Sequence, residues 1–172
     1  MRSAVEARGA GGLLRLDERD VAILGALSRD GRMTKARLAE TVNLSPSPCW
    51  ERLHRLEAAG LIASYRAEVD LDRIVSTVRV LVEVELGGHR AEDFQTFEDA
   101  LAAVPEVIEC WATGGGIDYI MMVLARDIDA YQRLMDRLLI AEIGIRRYFT
   151  YVVTKRVKST PPDLENLLKD AL

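Results

Sequence analysis

The chain has 172 residues and a formal net charge of −4 at pH 7, with 49% hydrophobic and 29% charged residues. This composition excludes wholesale disorder and a fibrous protein, and the length suits one large domain or two small ones. The two cysteines show no CxxC spacing, which predicts reduced thiols rather than a disulfide framework or a metal site. No apolar run approaches the ~18 residues of a membrane helix, so we expect a cytoplasmic protein with no membrane partner.

The charge is unevenly distributed along the chain. Between Arg15 and Arg66 there are nine Lys or Arg and seven Asp or Glu residues, a balance of +2, whereas the rest of the chain carries −6. This asymmetry favours a nucleic-acid partner for the N-terminal half. An ordinary solvated domain can show the same balance, so the charge alone does not distinguish a nucleic-acid-binding domain from a domain without that partner.

The first 62 residues predict three short helices after an irregular start. Small residues and glycines without an apolar period predict a disordered extension over residues 1–14. Asp17 suits the N-cap of a first helix, which a turn at Asp30-Gly31 ends. Thr34 suits the cap of a second helix that runs to Val42.

The third helix is the most informative segment, and it lies within Asn43–Gly60. Ser45 is a suitable N-cap, Pro46 fits the first helical position, and Gly60 supplies a stop. One face is predicted to be buried and is formed by Cys49, Leu53 and Leu56. The opposite face is polar and is formed by Ser47, Pro48, Glu51, His54 and Arg55. Trp50 lies at the border between them, where packing is its expected role.

Three short helices with a tight second turn predict a helix-turn-helix DNA-binding domain over residues 15–62. On its third helix, Arg52 and Arg55 suit phosphates or guanine edges, and the Ser47 hydroxyl suits a phosphate oxygen. Glu51 suits cytosine N4 as an acceptor, whereas His54 is expected beside a phosphate or on a passive surface. The alternative is a solvated helix face carrying an i,i+4 pair between Glu51 and Arg55.

The second half changes from helical to mixed periodicity. Residues 63–76 are expected to form a hinge strand and linker, and residues 77–158 read as β-α-β-β-α-β. This order predicts a ferredoxin-like domain and an α+β fold overall, with both helices on one sheet face. Apolar side chains on both sides of several strands predict a homodimer formed through the other face. Pro161-Pro162 precedes an amphipathic C-terminal helix expected over residues 159–172.

Four segments, in this order and spacing, resemble the Lrp/AsnC family of bacterial and archaeal transcription factors. They are LDERDVAILGALSRDGR, NLSPSPCWERLHRLEAAGLI, IDY after a glycine loop, and YFTYVVTKRVK, and the likeness extends over about Leu16–Lys158. The resemblance implies a third helix in the major groove and an effector-binding C-terminal domain that dimerises and often forms rings of eight. It also implies control of amino-acid or nitrogen-compound metabolism.

The resemblance places an amino-acid effector at the glycine loop that precedes Asp118 and Tyr119. The N–H groups of Gly114, Gly115 and Gly116 can hold a carboxylate, and Asp118 can pair with an ammonium group. Members of the family often carry an acidic residue at the position of Gly116, so this chain lacks one anionic partner for an ammonium group, which weakens the case for an ordinary α-amino acid. The expected effector class is an amino acid or a related amine. The other interpretation is a plain hairpin loop with Asp118 as a turn residue. Thr150 is a lesser candidate through its hydroxyl.

Enzymatic motifs are missing from the sequence, so we expect neither an enzyme nor a cofactor. The glycine loop lacks the GK[ST] ending of a P-loop, and the two histidines fit no metal or nucleophile-base pattern. Two alternatives to a transcriptional regulator stay open. One is an RNA-binding module, since a ferredoxin-like sheet can carry that function. The other is a metabolite-sensing subunit that regulates an enzyme without binding DNA.

Overall fold

Two units make up the chain in the computed structural model, which describes residues 5–10 and 12–169. The first unit comprises Met1–Glu68 together with Lys158–Leu172, and the second comprises Val69–Val157. The boundary between Glu68 and Val69 lies inside the segment expected to be the hinge. Within the described ranges, no helix is long and apolar enough to cross a membrane.

The first unit contains a two-stranded hairpin and a bundle of three short helices. Its core is formed by buried side chains from all three helices and the second strand, namely Leu16, Ile23, Ala26, Leu38, Ala39, Val42, Cys49, Leu53 and Leu56. The elements are β1 (Val5–Gly9), β2 (Gly12–Leu16), α1 (Glu18–Arg29), α2 (Lys35–Thr41) and α3 (Pro46–Ala58).

The expected disorder over residues 1–14 is wrong for the described part of that segment. β1 and β2 pair as antiparallel strands, with Ala7 opposite Leu14, and both side chains pack against the helical core. The Ala10 N–H also donates a hydrogen bond of 2.8 Å to the carbonyl of Ala59. The hairpin forms because the small apolar side chains of β1 alternate toward a core that the helices provide, and this long-range contact outweighs the weak local pattern. Met1–Ala4 and Gly11 lie outside the described residues.

The predicted caps are present at two of the three helices. Asp17 accepts hydrogen bonds from the N–H groups of Arg19 and Asp20 and forms a capping box with Asp20. The Thr34 side chain accepts from the Arg37 N–H. Ser45 occupies the N-cap position of α3, but its side chain makes no capping hydrogen bond. Its hydroxyl is therefore not used to satisfy the first turn of the helix.

The second unit has the predicted ferredoxin-like architecture. One antiparallel sheet has the strand order β4-β5-β3-β6, which is the order expected when two β-α-β halves interleave. Its elements are β3 (Val78–Leu86), α4 (Ala91–Ala102), β4 (Val107–Ala112), β5 (Tyr119–Ala125), α5 (Ile128–Ile140) and β6 (Ile145–Val153).

The helices cover one face of this sheet. The buried core on that face includes Val82 and Val84 from β3, Phe97 from α4, and Leu134 and Met135 from α5. The register places a row of side chains on the other face, because directly opposed residues of neighbouring strands point the same way. One such row runs Trp111, Ile120, Glu83 and Phe149, and the next runs Glu109, Met122, Leu81 and Tyr151. Trp111, Phe149 and Tyr151 are each more than 40% exposed in the single chain.

The linker and the C-terminal segment differ from expectation. The strand expected in the hinge is not formed, and the segment from Leu61 contains only a short 3-10 turn at Leu71–Arg73 before β3. The helix expected over residues 159–172 is confined, among its described residues, to α6 (Leu164–Leu167), which packs against α1 of the same chain. Pro161-Pro162 keep the preceding residues out of a helix because proline lacks the backbone donor and restricts the residue before it.

Candidate nucleic-acid interface and ligand site

The exposed surface of α3 is the candidate nucleic-acid interface. Cys49, Leu53 and Leu56 are buried, as predicted from their spacing. The side chains on the opposite side are exposed and include Ser47, Pro48, Glu51 and His54. Ser45, whose hydroxyl makes no cap, is exposed at the start of the helix. α3 therefore presents polar groups from its first turns to solvent.

Arg52 connects this helix to α1 through a network of carboxylates. Its Nη1 atom lies 2.8 Å from Oδ1 of Asp20 and 2.8 Å from Oδ2 of Asp17. Burial raises the pKa of Asp17, but hydrogen bonds from the Asp20 N–H and from Arg52 outweigh it and hold that pKa below its usual range. The Asp20 and Asp17 carboxylates raise the pKa of Arg52 against the opposing effect of burial.

Arg55 shares the same buried acceptor. Its Nη2 atom lies 2.6 Å from Oδ2 of Asp20, a carboxylate that is only 1% exposed. The sequence interpretation treated Arg52 and Arg55 alike, as cations free for DNA, but the structure engages both with α1. They differ in exposure, because the Arg55 side chain is 44% exposed and that of Arg52 is 30% exposed. Arg55 thus keeps a larger share of its side chain in solvent, whereas Arg52 is held between two carboxylates.

Trp50 is placed differently from its expected packing role. It is 41% exposed, and the Lys35 Nζ lies 3.1 Å from the centre of its ring. The Trp50 and His54 rings are stacked with their centroids 6.3 Å apart. Sequence reasoning missed Lys35 altogether, since its position at the start of α2 becomes informative only when α2 and α3 pack together.

The candidate ligand site is the loop between β4 and β5. A Cβ added at Gly114, Gly115 or Gly116 would meet no atom within 4 Å, and Gly115 has a φ of +146°, which favours glycine. The Thr113 hydroxyl donates to the Ile117 carbonyl at 2.6 Å and closes the base of the loop. The backbone of this loop is therefore open to an approaching molecule.

Asp118 lies at the end of this loop and is already partly engaged. Its Oδ2 atom accepts a hydrogen bond of 2.8 Å from the Leu86 N–H, and its Oδ1 atom lies 3.2 Å from Nε2 of His89. The side chain is 14% exposed. The carboxylate is thus fixed in direction by the neighbouring strand. His89 is a residue that sequence reasoning missed, because 29 positions separate it from Asp118.

Tyr119 and Thr150 do not direct their side chains toward the glycine loop. Tyr119 points into the core, where its ring lies 4.6 Å from that of Phe97 and its hydroxyl donates to Glu98 at 2.7 Å. Burial and the Glu98 carboxylate raise the pKa of Tyr119. Thr150 is on β6, two strands away, and its hydroxyl is 2.6 Å from that of Tyr131.

A cavity of about 310 Å³ lies beside Tyr119, between α4 and the edge strand β4. Apolar residues form most of its wall, and Glu98 and Cys110 also line it. Burial raises the pKa of Cys110, with a further contribution from Glu98, so the neutral thiol is favoured.

Comparisons with known proteins identify both units. Residues 16–63 match winged helix-turn-helix DNA-binding domains, and residues 79–163 match the Lrp/AsnC ligand-binding domain. The transcriptional regulatory protein DoeX of Halomonas elongata is 53% identical over 145 residues, which cover 84% of this chain and 92% of that protein. The leucine-responsive regulatory protein of Escherichia coli is 34% identical over 145 residues, covering 84% of this chain and 88% of that protein.

Solved structures agree with these sequence matches. A transcriptional regulator from Neisseria meningitidis in complex with L-Met has a TM-score of 0.82 at 30% identity, covering 89% of this chain and 99% of that one. An AsnC family regulator from Agrobacterium tumefaciens has a TM-score of 0.77 at 32% identity, covering 84% and 94%. The chain therefore belongs to the Lrp/AsnC family of transcriptional regulators, with a DNA-binding helix-turn-helix unit followed by a ligand-binding unit.

Proposed function

We propose that the exposed face of α3 reads a DNA operator from the major groove. The observation that carries this proposal is the division of α3 into a buried apolar face and an exposed polar face within a helix-turn-helix unit. In such units the N-terminal residues of the recognition helix contact base edges. Ser45 and Ser47 lie at that end of α3, where N–H groups and hydroxyls suit a phosphate oxygen.

The other residues of this face have separate roles in the proposal. Glu51 accepts a hydrogen bond from cytosine N4, and Pro48 and His54 border the base contacts near the backbone. The exposed part of Arg55 neutralises a phosphate while its Nη2 atom stays on Asp20. Arg52 supports binding indirectly, because its ion pairs with Asp17 and Asp20 set how α3 lies on α1.

We propose that the protein acts as a homodimer formed through the open face of its sheet. That face carries Leu81, Ile120 and Met122 among exposed aromatic side chains, and apolar surfaces of this kind rarely stay in contact with water. Two copies present two recognition helices, so the operator is a pseudo-palindrome with half-sites about one DNA turn apart. Further association of dimers into tetramers or octamers agrees with the family resemblance.

We propose an amino acid or a related amine as the effector. The N–H groups of the loop Gly114–Gly116 would receive a carboxylate, and Asp118 would receive an ammonium group. The relative from Neisseria meningitidis in complex with L-Met supports this class of ligand. Tyr119 and Thr150 contribute indirectly, since both hydroxyls are bonded within the domain. The effector regulates by binding one dimer geometry more tightly than another.

The regulated genes serve amino-acid or nitrogen-compound metabolism in this proposal, and the protein works in the cytoplasm as a regulator rather than an enzyme. The similarity to the leucine-responsive regulatory protein of Escherichia coli supports the link to amino-acid metabolism. Free amino acids and the operator DNA occur together in that compartment. Neither a cofactor nor a metal is needed, because reading bases and binding a small effector require only hydrogen bonds and charge.

The experiment is selection of binding sites by the full chain from a random double-stranded DNA library. We expect a pseudo-palindromic sequence, and we expect Glu51→Gln to lose roughly tenfold discrimination at one base pair in each half-site. Glu92→Gln, an exposed change on α4, serves as the control and selects the same sequence as the unmodified protein. Absence of any enriched sequence, or retention of single-stranded RNA instead, would contradict the proposal.

A further inference from the structure

Trp50 is an exposed aromatic residue on the surface of α3 that the proposed DNA contacts leave unused. Its neighbours Cys49 and Leu53 are buried, but Trp50 is 41% exposed. We propose that Trp50 is a specificity-determining residue that contacts the C5-methyl group of a thymine in each half-site. This inference rests on the proposed binding of α3 in the major groove.

The position of Trp50 along α3 supports a base contact. It is the fifth residue of a 13-residue helix, so it lies in the N-terminal half that enters the groove first. At ~100° per residue, its side chain lies between the buried stripe and the exposed face formed by Ser47 and His54. In the proposed complex, a side chain at this border lies at the edge of the DNA-contacting face, within reach of a thymine C5-methyl group.

The contacts of the indole fix its orientation without covering it. The Lys35 Nζ is 3.1 Å from the ring centre, a cation–π contact, and His54 is stacked against it at 6.3 Å. These polar partners hold one orientation of the ring and leave apolar surface facing outward. A ring that is already ordered loses little conformational entropy when it contacts a base.

The chemistry of the major groove selects thymine among the bases. Its methyl group is the one apolar feature that a base edge presents there, and apolar side chains recognise it by contact. Lys35 lies at the start of α2 beside this ring, where its ammonium can also neutralise a phosphate of the adjoining backbone. Trp50 and Lys35 therefore place a sequence-specific contact with thymine beside a sequence-independent contact with phosphate.

The test replaces each thymine of the selected operator with deoxyuridine, which lacks only the methyl group, and measures the affinity of the full chain by fluorescence anisotropy. We expect one position in each half-site at which the change weakens binding roughly fourfold, the scale of burying one methyl group. In Trp50→Ala the same replacement has no effect. If no thymine shows a methyl effect, or if the effect persists undiminished in Trp50→Ala, the inference is overturned.

A second Trp50 variant, a control and a variant of Lys35 complete the test. Trp50→Gln replaces the indole by an unbranched polar side chain with good helix propensity, and it is also expected to lose the methyl effect. Ile140→Ala, at an exposed apolar position of the second unit, keeps it. Lys35→Gln lowers the salt dependence of binding by about one phosphate contact. If both Trp50 variants unfold, Trp50 belongs to the core and the inference fails. If the unmodified protein selects no DNA sequence, the proposed function itself has failed.

Discussion

The Nη2 atom of Arg55 lies 2.6 Å from Oδ2 of Asp20, so a residue of the recognition helix is tied to a buried carboxylate of α1. Asp20 also accepts from Arg52 and from the Asp17 N–H, at 2.8 and 3.1 Å. These three partners of the Asp20 carboxylate all belong to its own unit. The angle between α1 and α3 is thereby set by charge as well as by apolar packing.

Replacement of Asp20 by Asn is expected to destabilise the first unit. The variant loses the charge that both guanidinium groups contact, and we expect a loss of about 1–3 kcal/mol in the free energy of unfolding. The loss stays below that of a fully buried pair because both arginines retain solvent contact. Hydrogen exchange of the amides in α1 and α3 measures the change.

The control for this variant is Asp72→Asn. Its carboxylate is exposed and lies 3.7 Å from Arg79, so the expected effect on stability is below about 0.5 kcal/mol. Equal protection of the α1 and α3 amides in the Asp20→Asn variant and in the unmodified protein would contradict the role assigned to the ion pairs.

Separate replacement of Arg52 and Arg55 by Ala distinguishes support of α3 from contact with DNA. Arg52→Ala removes a partner of a carboxylate that is 1% exposed, so stability falls by about 1–3 kcal/mol while the salt dependence of DNA binding is retained. Arg55→Ala reduces the magnitude of the negative slope of log affinity against log salt by about one. Anisotropy titrations at several salt concentrations measure the slope. An unchanged slope in Arg55→Ala shows that Arg55 makes no phosphate contact.

Stability of the first unit is expected to fall in acid because of Asp17. Its pKa in the folded chain is held below the ordinary value of 3.8. A carboxylate with a lowered folded-state pKa contributes stability above its unfolded-state pKa, and that stability is lost as the pH falls through the folded-state value. Thermal unfolding between pH 2 and 7 measures the loss. In Asp17→Asn, which keeps a side-chain cap, the loss below about pH 4 is smaller, and an identical pH profile would contradict the assignment.

Features that depend on residues close together in the sequence were predicted, whereas features that depend on contacts between distant residues were not. The helices and strands depend on local periodicity, and their order in the second unit is the predicted β-α-β-β-α-β. The β1 hairpin was missed because its two strands are only five residues long and each contains a glycine, and contact with the helical core is needed to stabilise them. Among the described residues, the C-terminal helix is shorter than expected, because an amphipathic pattern does not show which of its residues contact α1.

The sequence predicted which residues belong to the candidate sites, but it did not predict which side chains contact one another there. The spacing identified which side of α3 is exposed, but the pairing of Arg52 and Arg55 with Asp20 joins residues more than 30 positions apart. The glycine loop could be predicted because its composition is local. The direction of the Thr150 side chain could not be predicted, because it depends on which face of β6 packs against α5. Contacts between elements, rather than the elements themselves, set the limit of the sequence analysis.

Replacement of Met122 by Glu is expected to prevent dimer formation. Met122 lies opposite Leu81 and Glu109 in the middle of the open sheet face, so the variant would bury a carboxylate without a partner in the proposed interface. Sedimentation velocity at low micromolar concentration should show a monomer for this variant and a dimer for the unmodified protein. Ile140→Glu, at a position 81% exposed on α5, is the matched control and stays dimeric. A monomeric unmodified protein would refute the proposed dimer.

Replacement of Asp118 by Asn tests the effector proposal. The amide oxygen can still accept from the Leu86 N–H, which the Asp118 carboxylate does at 2.8 Å, so the fold is expected to be kept. The variant loses the negative charge that would bind an ammonium group, and hydrogen bonds to charged groups are worth about 1.5–3 kcal/mol, so affinity should fall by roughly tenfold or more.

Isothermal titration calorimetry with L-methionine, other amino acids and simple amines measures this change. Asp136→Asn, an exposed change on α5, is the control and retains the affinity of the unmodified protein. A ligand that binds the unmodified protein and Asp118→Asn equally tightly must be held elsewhere, and the cavity beside Tyr119 would then be the site to examine by mutation of Glu98.

If a panel of amino acids and amines gives no heat of binding with the unmodified protein, the proposed effector class is wrong. Because Asp118 is held by a backbone N–H and His89 before any ligand arrives, the site is ordered in advance, and the loss in affinity reports charge rather than rearrangement.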